Sequence, residues 1–180
     1  VALNYDRVLE DRFLIKADQS GERRFRPPLF TVVGGVMGYL WARLRGKMTT
    51  FGTANVSFGQ PMSLSDYENS HSGEASDVAG ELMARISGVI PLLPVPLVCR
   101  AILAGAKTEA EVKDHITGTL GHLPSSVRAP KWAADKIAKD GLLILRRRGI
   151  ITGTDELKVS DTEHPVLSYY ANSIAHHFVS

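Results

Sequence analysis

The stretch Val1-Ala2-Leu3-Asn4-Tyr5-Asp6-Arg7-Val8-Leu9-Glu10 decides how this chain is read. It has the apolar density of a buried strand running into polar residues, and it begins with neither an initiator methionine nor a lead-in. A strand that opens a chain in this way is expected to have lost upstream partners, which makes the chain the C-terminal part of a larger protein. An unpaired first strand offers free backbone donors and acceptors, so the isolated piece is also expected to be prone to aggregation.

Polar, charged chain follows this strand as far as Ala17, and Asp18–Pro28 then reads as a charged loop with its arginines bunched. In Leu29–Gly46 the residues Leu29, Val32, Val33, Val36, Leu40 and Leu44 recur at helical spacing, although three glycines weaken the helix. Thr53–Phe58 alternates like a strand and runs into the turn Gly59-Gln60-Pro61. Glu68–Ser76 reads as a polar linker, and Asp77–Ile90 as an amphipathic helix. Thr108 and Glu111 form a capping box for the next helix, and Lys131–Arg147 is another. Ile150–Val159 around Gly153-Thr154-Asp155 predicts a small hairpin. Ser160, Glu163 and Pro165 open a last helix through Phe178. The expected fold class is therefore α/β: residues 1–67 as α/β material and 68–180 as a mostly helical C-terminal region.

Bulk properties narrow the function classes. Hydrophobic residues are 44% and charged residues 22%, enough to bury a core. A net charge of +2 and a pI near 8.7 are too mild to argue for nucleic acid. Cys99 is the single cysteine, so no internal disulfide forms; its apolar surroundings predict a buried thiol in a reducing compartment. The apolar run Leu29–Trp41 is shorter than the roughly 20 residues of a bilayer-spanning helix. Ile86–Gly105 is broken by Pro91, Pro94 and Pro96 and carries Arg100. Membrane contact is therefore expected to be peripheral.

Few constellations carry chemistry. Gly34, Gly35 and Gly38 fail the dinucleotide fingerprint, because Val36 occupies the position of its second glycine. Close helix packing explains these glycines. Arg23, Arg24 and Arg26, with Arg43, Arg45 and Lys47 beyond, suit a phosphate or an anionic lipid surface. On charge alone the favoured reading is a solvated loop balanced by Asp18 and Glu22. The six histidines show no metal-ligand or triad spacing, and neither a metal nor a cofactor is expected. The basic run Arg146-Arg147-Arg148 is accounted for by the helix dipole. The helix-then-hairpin order there imitates a winged helix, an alternative that would make the chain a non-catalytic binding module. Lys131, Lys136 and Lys139 on its candidate recognition helix are offset by Asp135 and Asp140, so no nucleic-acid partner is expected.

Three segments together resemble the glycerol-3-phosphate acyltransferase family, especially its bacterial membrane-associated members. Val1–Glu10, with Tyr5, Asp6 and Glu10, resembles that family's fourth acyltransferase block. Asn55–Leu64, with the core Phe58-Gly59-Gln60-Pro61, resembles the strand and turn that follow it. Tyr169-Tyr170-Ala171-Asn172-Ser173-Ile174-Ala175-His176 resembles the C-terminal helix of the larger enzymes, and Pro91–Leu103 the segment between their catalytic and C-terminal regions.

The resemblance implies transfer of a fatty acyl group from acyl-CoA or acyl carrier protein to the 1-hydroxyl of glycerol 3-phosphate in phospholipid synthesis. It places the protein peripherally on the cytoplasmic face of the inner membrane. Dihydroxyacetone phosphate or a lysophospholipid is the alternative acceptor. The family's catalytic His-x-x-x-x-Asp block is not in this sequence; His71 and Asp77 miss the spacing by one. The base and the acceptor-phosphate block are expected upstream, which would leave this chain silent on its own and without catalytic residues. The resemblance makes Tyr5, Asp6 and Glu10 block residues, Phe58, Gly59 and Pro61 a wall of the substrate site, and Arg23, Arg24 and Arg26 contacts for donor phosphates or an anionic membrane surface.

Overall fold

A computed structural model describes residues 1–8, 11–20, 34, 37, 38, 41, 44, 52–70, 75–124, 127 and 130–178. Its elements are β1 (Ala2–Tyr5), α1 (Asp11–Ser20), β2 (Ala54–Ser57), α2 (Leu64–Ser70), α3 (Ala75–Gly88), α4 (Pro94–Leu103), α5 (Glu109–Gly121), α6 (Ala134–Arg147), β3 (Ile151–Thr152), β4 (Lys158–Val159) and α7 (His164–Asn172). Short 3-10 turns at Asp161–Glu163 and Ala175–His177 flank α7. The chain is thus mixed α/β with helices dominant, and its described sheets are two antiparallel strand pairs.

The proline-punctuated segment is the centre of the fold. Pro94 at the start of α4 has the fixed φ of a first helical turn. From it Val95, Leu97, Val98, Cys99 and Ala101 enter the core, where α5, α6 and α7 pack around them. Gly141 of α6 permits a close crossing with α4: a Cβ there would lie 2.6 Å from Val98 Cγ2 and 2.8 Å from the Pro94 carbonyl oxygen. Ile137, Leu142, Leu145, Val166, Leu167 and Ile174 are among the other members of the buried cluster. Cys99 is buried as expected, and burial raises its thiol pKa far above the ordinary range.

Several expectations need correction. Chain read as polar and charged up to Ala17, and as loop from Asp18, instead forms α1 through Ser20. Part of the expected linker is helical, since α2 runs to Ser70 and α3 begins at Ala75. The last helix is broken, because its α-helical part ends at Asn172. Strand β1 is also not the apolar-inward strand its composition suggests. Ala2, Asn4 and Asp6 face inward, whereas Val1, Leu3 and Tyr5 are 66%, 54% and 42% exposed.

Other expectations hold. The strand pair β3–β4 is the predicted hairpin, with Gly153 at φ +85° in its turn. Thr108 Oγ1 accepts the Glu111 amide hydrogen at 3.2 Å, one half of the capping box. The Glu111 carboxylate takes the amide of Lys107, at 2.7 Å, rather than that of Thr108. Of the helix expected across 29–46, only positions 34, 37, 38, 41 and 44 lie among the described residues, and these are helical.

Candidate functional site

Strand β1 is tied to the helical body by its two inward polar side chains. The start of α4 has no cap of its own, because Leu93 has no hydrogen-bonding side chain. The amide of Val95 is one of the donors a helix leaves unsatisfied at its first turn. Asp6 supplies the missing acceptor from 89 residues away: Oδ1 accepts from Val95 N at 2.8 Å. Its Oδ2 accepts from Thr53 N at 2.8 Å, and its own amide donates to the Thr53 carbonyl at 2.9 Å. Beside it, Asn4 Nδ2 donates to the Pro91 carbonyl at 2.8 Å. Burial raises the pKa of the fully enclosed Asp6 carboxyl, and the amide donors of Val95 and Thr53 oppose that rise. Gly52, at φ +87°, lets the chain pass over this carboxylate, since a Cβ there would be 2.6 Å from Asp6 Cβ.

A second buried centre joins the two ends of the chain. Tyr170 of α7 donates its hydroxyl hydrogen to Asp11 Oδ2 at 2.6 Å and accepts from Val8 N at 2.9 Å and Arg148 Nη1 at 3.0 Å. The Arg148 guanidinium also pairs with Asp11 Oδ2, and the two side chains are 12% and 2% exposed. Burial and the bond to Asp11 push the Tyr170 hydroxyl well above its usual range. Burial acts to lower the Arg148 pKa, but Asp11 and Tyr170 outweigh it and hold the value above the ordinary one. Outside this centre, Arg12 Nη2 pairs with Glu163 at 2.9 Å.

Directly over this centre lies a groove of about 750 Å³ between β1, α1 and α7. Leu3, Tyr5 and Val8 form one wall, Leu14, Ile15, Asp18 and Gln19 a second, and Pro165, Ser168, Tyr169, Asn172 and Ser173 the third. It brings together the first of the sequence segments singled out above and the last. A smaller cleft of about 430 Å³ runs along β2 between it and Pro91, Leu92, Pro130, Lys131 and Trp132.

The expected site residues fall in different places. Tyr5 lines the groove, whereas Asp6 lies inside the fold as a helix cap. Phe58 is 78% exposed, Pro61 is exposed, and Gly59 lies beside Val89; none of the three is among the groove's described lining. Glu10, Arg23, Arg24 and Arg26 lie outside the described residues. The reading of Arg148 as a mere complement to the helix dipole is corrected, since its guanidinium is committed to Asp11 and Tyr170. Asp11 itself was not singled out. Its only signal is an acidic residue opening a helix, which the dipole already explains.

Two of the described histidines hold structure. His176 Nε2 donates to the Ser87 carbonyl at 2.8 Å and His177 Nε2 to the Ile90 carbonyl at 2.9 Å, fastening the C-terminal turn to the end of α3. Among the described residues, no group of three or more His, Cys, Asp or Glu side chains is placed to hold a metal ion. No helix among them is long and apolar enough to cross a membrane.

A helical body centred on one buried helix, with a strand pair fastened to it and an apolar groove along the seam, is the class of protein this geometry defines. The family described as the glycerol-3-phosphate acyltransferase C-terminal region matches residues 34–180, and the chain belongs to it. Curated proteins and solved structures gave no match to the chain.

Proposed function

We propose that the protein carrying this chain transfers a fatty acyl group from acyl-CoA or acyl carrier protein to the 1-hydroxyl of glycerol 3-phosphate. The family match over residues 34–180 carries this reading. The convergence of Tyr5 with Tyr169 and Asn172 on one groove supports it, because residues 1–10 lie outside that match. In the reaction the acceptor hydroxyl oxygen bonds to the thioester carbonyl carbon, the C–S bond breaks, and the thiol leaves with the hydroxyl proton. The family's His-x-x-x-x-Asp base is not in this sequence, so the chain's part is to bind and to position. Residues 1–67 end the catalytic α/β domain in this reading, and 68–180 pack on it. Peripheral attachment at the cytoplasmic face of the inner membrane belongs to the same proposal.

Glycerol-3-phosphate-dependent release of free CoA or acyl carrier protein by the full-length protein tests it, with dihydroxyacetone phosphate and a lysophospholipid as competing acceptors. Product formed only from one of the competitors would overturn the acceptor assignment. Replacing Arg23, Arg24 and Arg26 with Ala is expected to weaken binding to anionic vesicles or to raise the KM for acyl-CoA. If neither quantity moves, the arginines are solvated charges only.

A further inference from the structure

We infer that the groove between β1, α1 and α7 receives the fatty acyl chain of the thioester donor and not glycerol phosphate, an inference that rests on the acyltransferase reading above. Its volume of about 750 Å³ falls in the range of ligand clefts. Leu3, Val8, Leu14, Ile15, Pro165 and Tyr169 line it, so an alkyl chain would find apolar contact on all three sides.

Charge selects between the two substrates. A phosphate is held by cations or by convergent N–H donors. The one charged residue among the described lining is Asp18, a carboxylate that repels an anion. The remaining polar side chains there, such as Ser168, Asn172 and Gln19, are neutral and suit a carbonyl or water.

The cleft is also built in advance. Tyr170 at its base is held in place by hydrogen bonds with Val8, Asp11 and Arg148. At its rim Leu14 remains 39% exposed, apolar surface that a bound chain would cover.

The test uses the full-length protein and palmitoyl-CoA with a photoreactive diazirine at the end of its acyl chain. After irradiation, labelled peptides are expected to contain Leu14–Ile15 and Pro165–Tyr169. Unlabelled palmitoyl-CoA is expected to suppress that labelling, and inorganic phosphate, which carries the acceptor's charge but no hydroxyl carbon to acylate, to leave it unchanged. Ser168→Trp, which narrows the cleft, is expected to shift the kcat/KM ratio toward decanoyl over palmitoyl donors by about tenfold. The KM for glycerol 3-phosphate should not move with it. Label confined to other peptides in an enzyme that turns over would overturn the inference. So would labelling suppressed only by phospholipid vesicles, which would mark a membrane-lipid contact, or an unchanged chain preference in a folded Ser168→Trp protein. Groove labelling suppressed by palmitoyl-CoA in a protein that acylates no acceptor would sink the proposed reaction while supporting the acyl-chain site.

Discussion

Tyr170 donates a 2.6 Å hydrogen bond to Asp11, 159 residues earlier in the chain. The bond closes the chain's two ends on each other at the base of the groove. Because Arg148 joins the same carboxylate oxygen, the cation neutralises Asp11 and the hydroxyl satisfies it. Breaking a buried pair costs far more than its presence contributes, since the remaining charge has no water to turn to.

Removing members of this centre is therefore expected to be graded. Tyr170→Phe leaves the ion pair intact but orphans the Val8 amide, for a loss of about 1–3 kcal/mol. Asp11→Ala leaves the Arg148 guanidinium buried without its carboxylate, for a loss of about 3–5 kcal/mol. Urea denaturation of the two variants and their double mutant measures both values and their coupling. Equal losses would mean that the charge plays no special part.

Asp6 makes a different prediction, because it satisfies two backbone amides. Asp6→Ala should cost about 1–3 kcal/mol by leaving Val95 and Thr53 without acceptors. Asp6→Asn should recover only part of this, since an amide side chain offers one oxygen where two are used. The raised folded pKa adds a sign: ionised Asp6 is penalised by burial, so wild type gains stability relative to Asp6→Asn as pH falls through that folded value. The gain is complete below 3.8, the ordinary value. Denaturation midpoints of the two proteins, compared from neutral to acid pH, show whether the gap moves that way.

At Gly141 two effects oppose each other. Gly→Ala inside a helix gains about 1 kcal/mol in propensity. An added Cβ 2.8 Å from the Pro94 carbonyl oxygen must push two helices apart, and overpacking of this kind costs typically 1–3 kcal/mol. The net expectation for Gly141→Ala is a lowered melting temperature. A raised one would mean that α4 and α6 can separate freely.

His177 predicts a pH dependence of the C-terminal clasp. Burial holds its pKa below the ordinary 6.5; its bond to the Ile90 carbonyl works the other way, and the adjacent His176 adds to the lowering. A base with a depressed folded pKa contributes stability that is present above 6.5 and is lost as pH falls from there through the folded value. Protection factors of the amides around Ile90 and His177, corrected for the intrinsic exchange rate at each pH, should fall over that interval. In His177→Gln, which has no proton to gain there, the protection factors should carry no such pH term.

What the sequence alone determined follows from local physics. Helical spacing in 77–90 and 131–147, the Thr108 cap and the Gly153 hairpin all formed near their predicted positions, since each depends on neighbours a few residues away. The resemblance in three separated segments pointed to the family that the match over residues 34–180 then showed. Only the tertiary structure decided that Asp6 caps α4 across 89 residues, or that Asp11, Arg148 and Tyr170 share one buried centre. An aspartate that caps a distant helix has the same sequence signature as one that meets solvent. Its role is set by which backbone amide the fold carries to within hydrogen-bonding distance, and no local pattern encodes that. The outward turn of Leu3 and Tyr5 has the same origin: the strand has two faces, and the amides and carbonyls waiting at Pro91–Val95 chose the polar one.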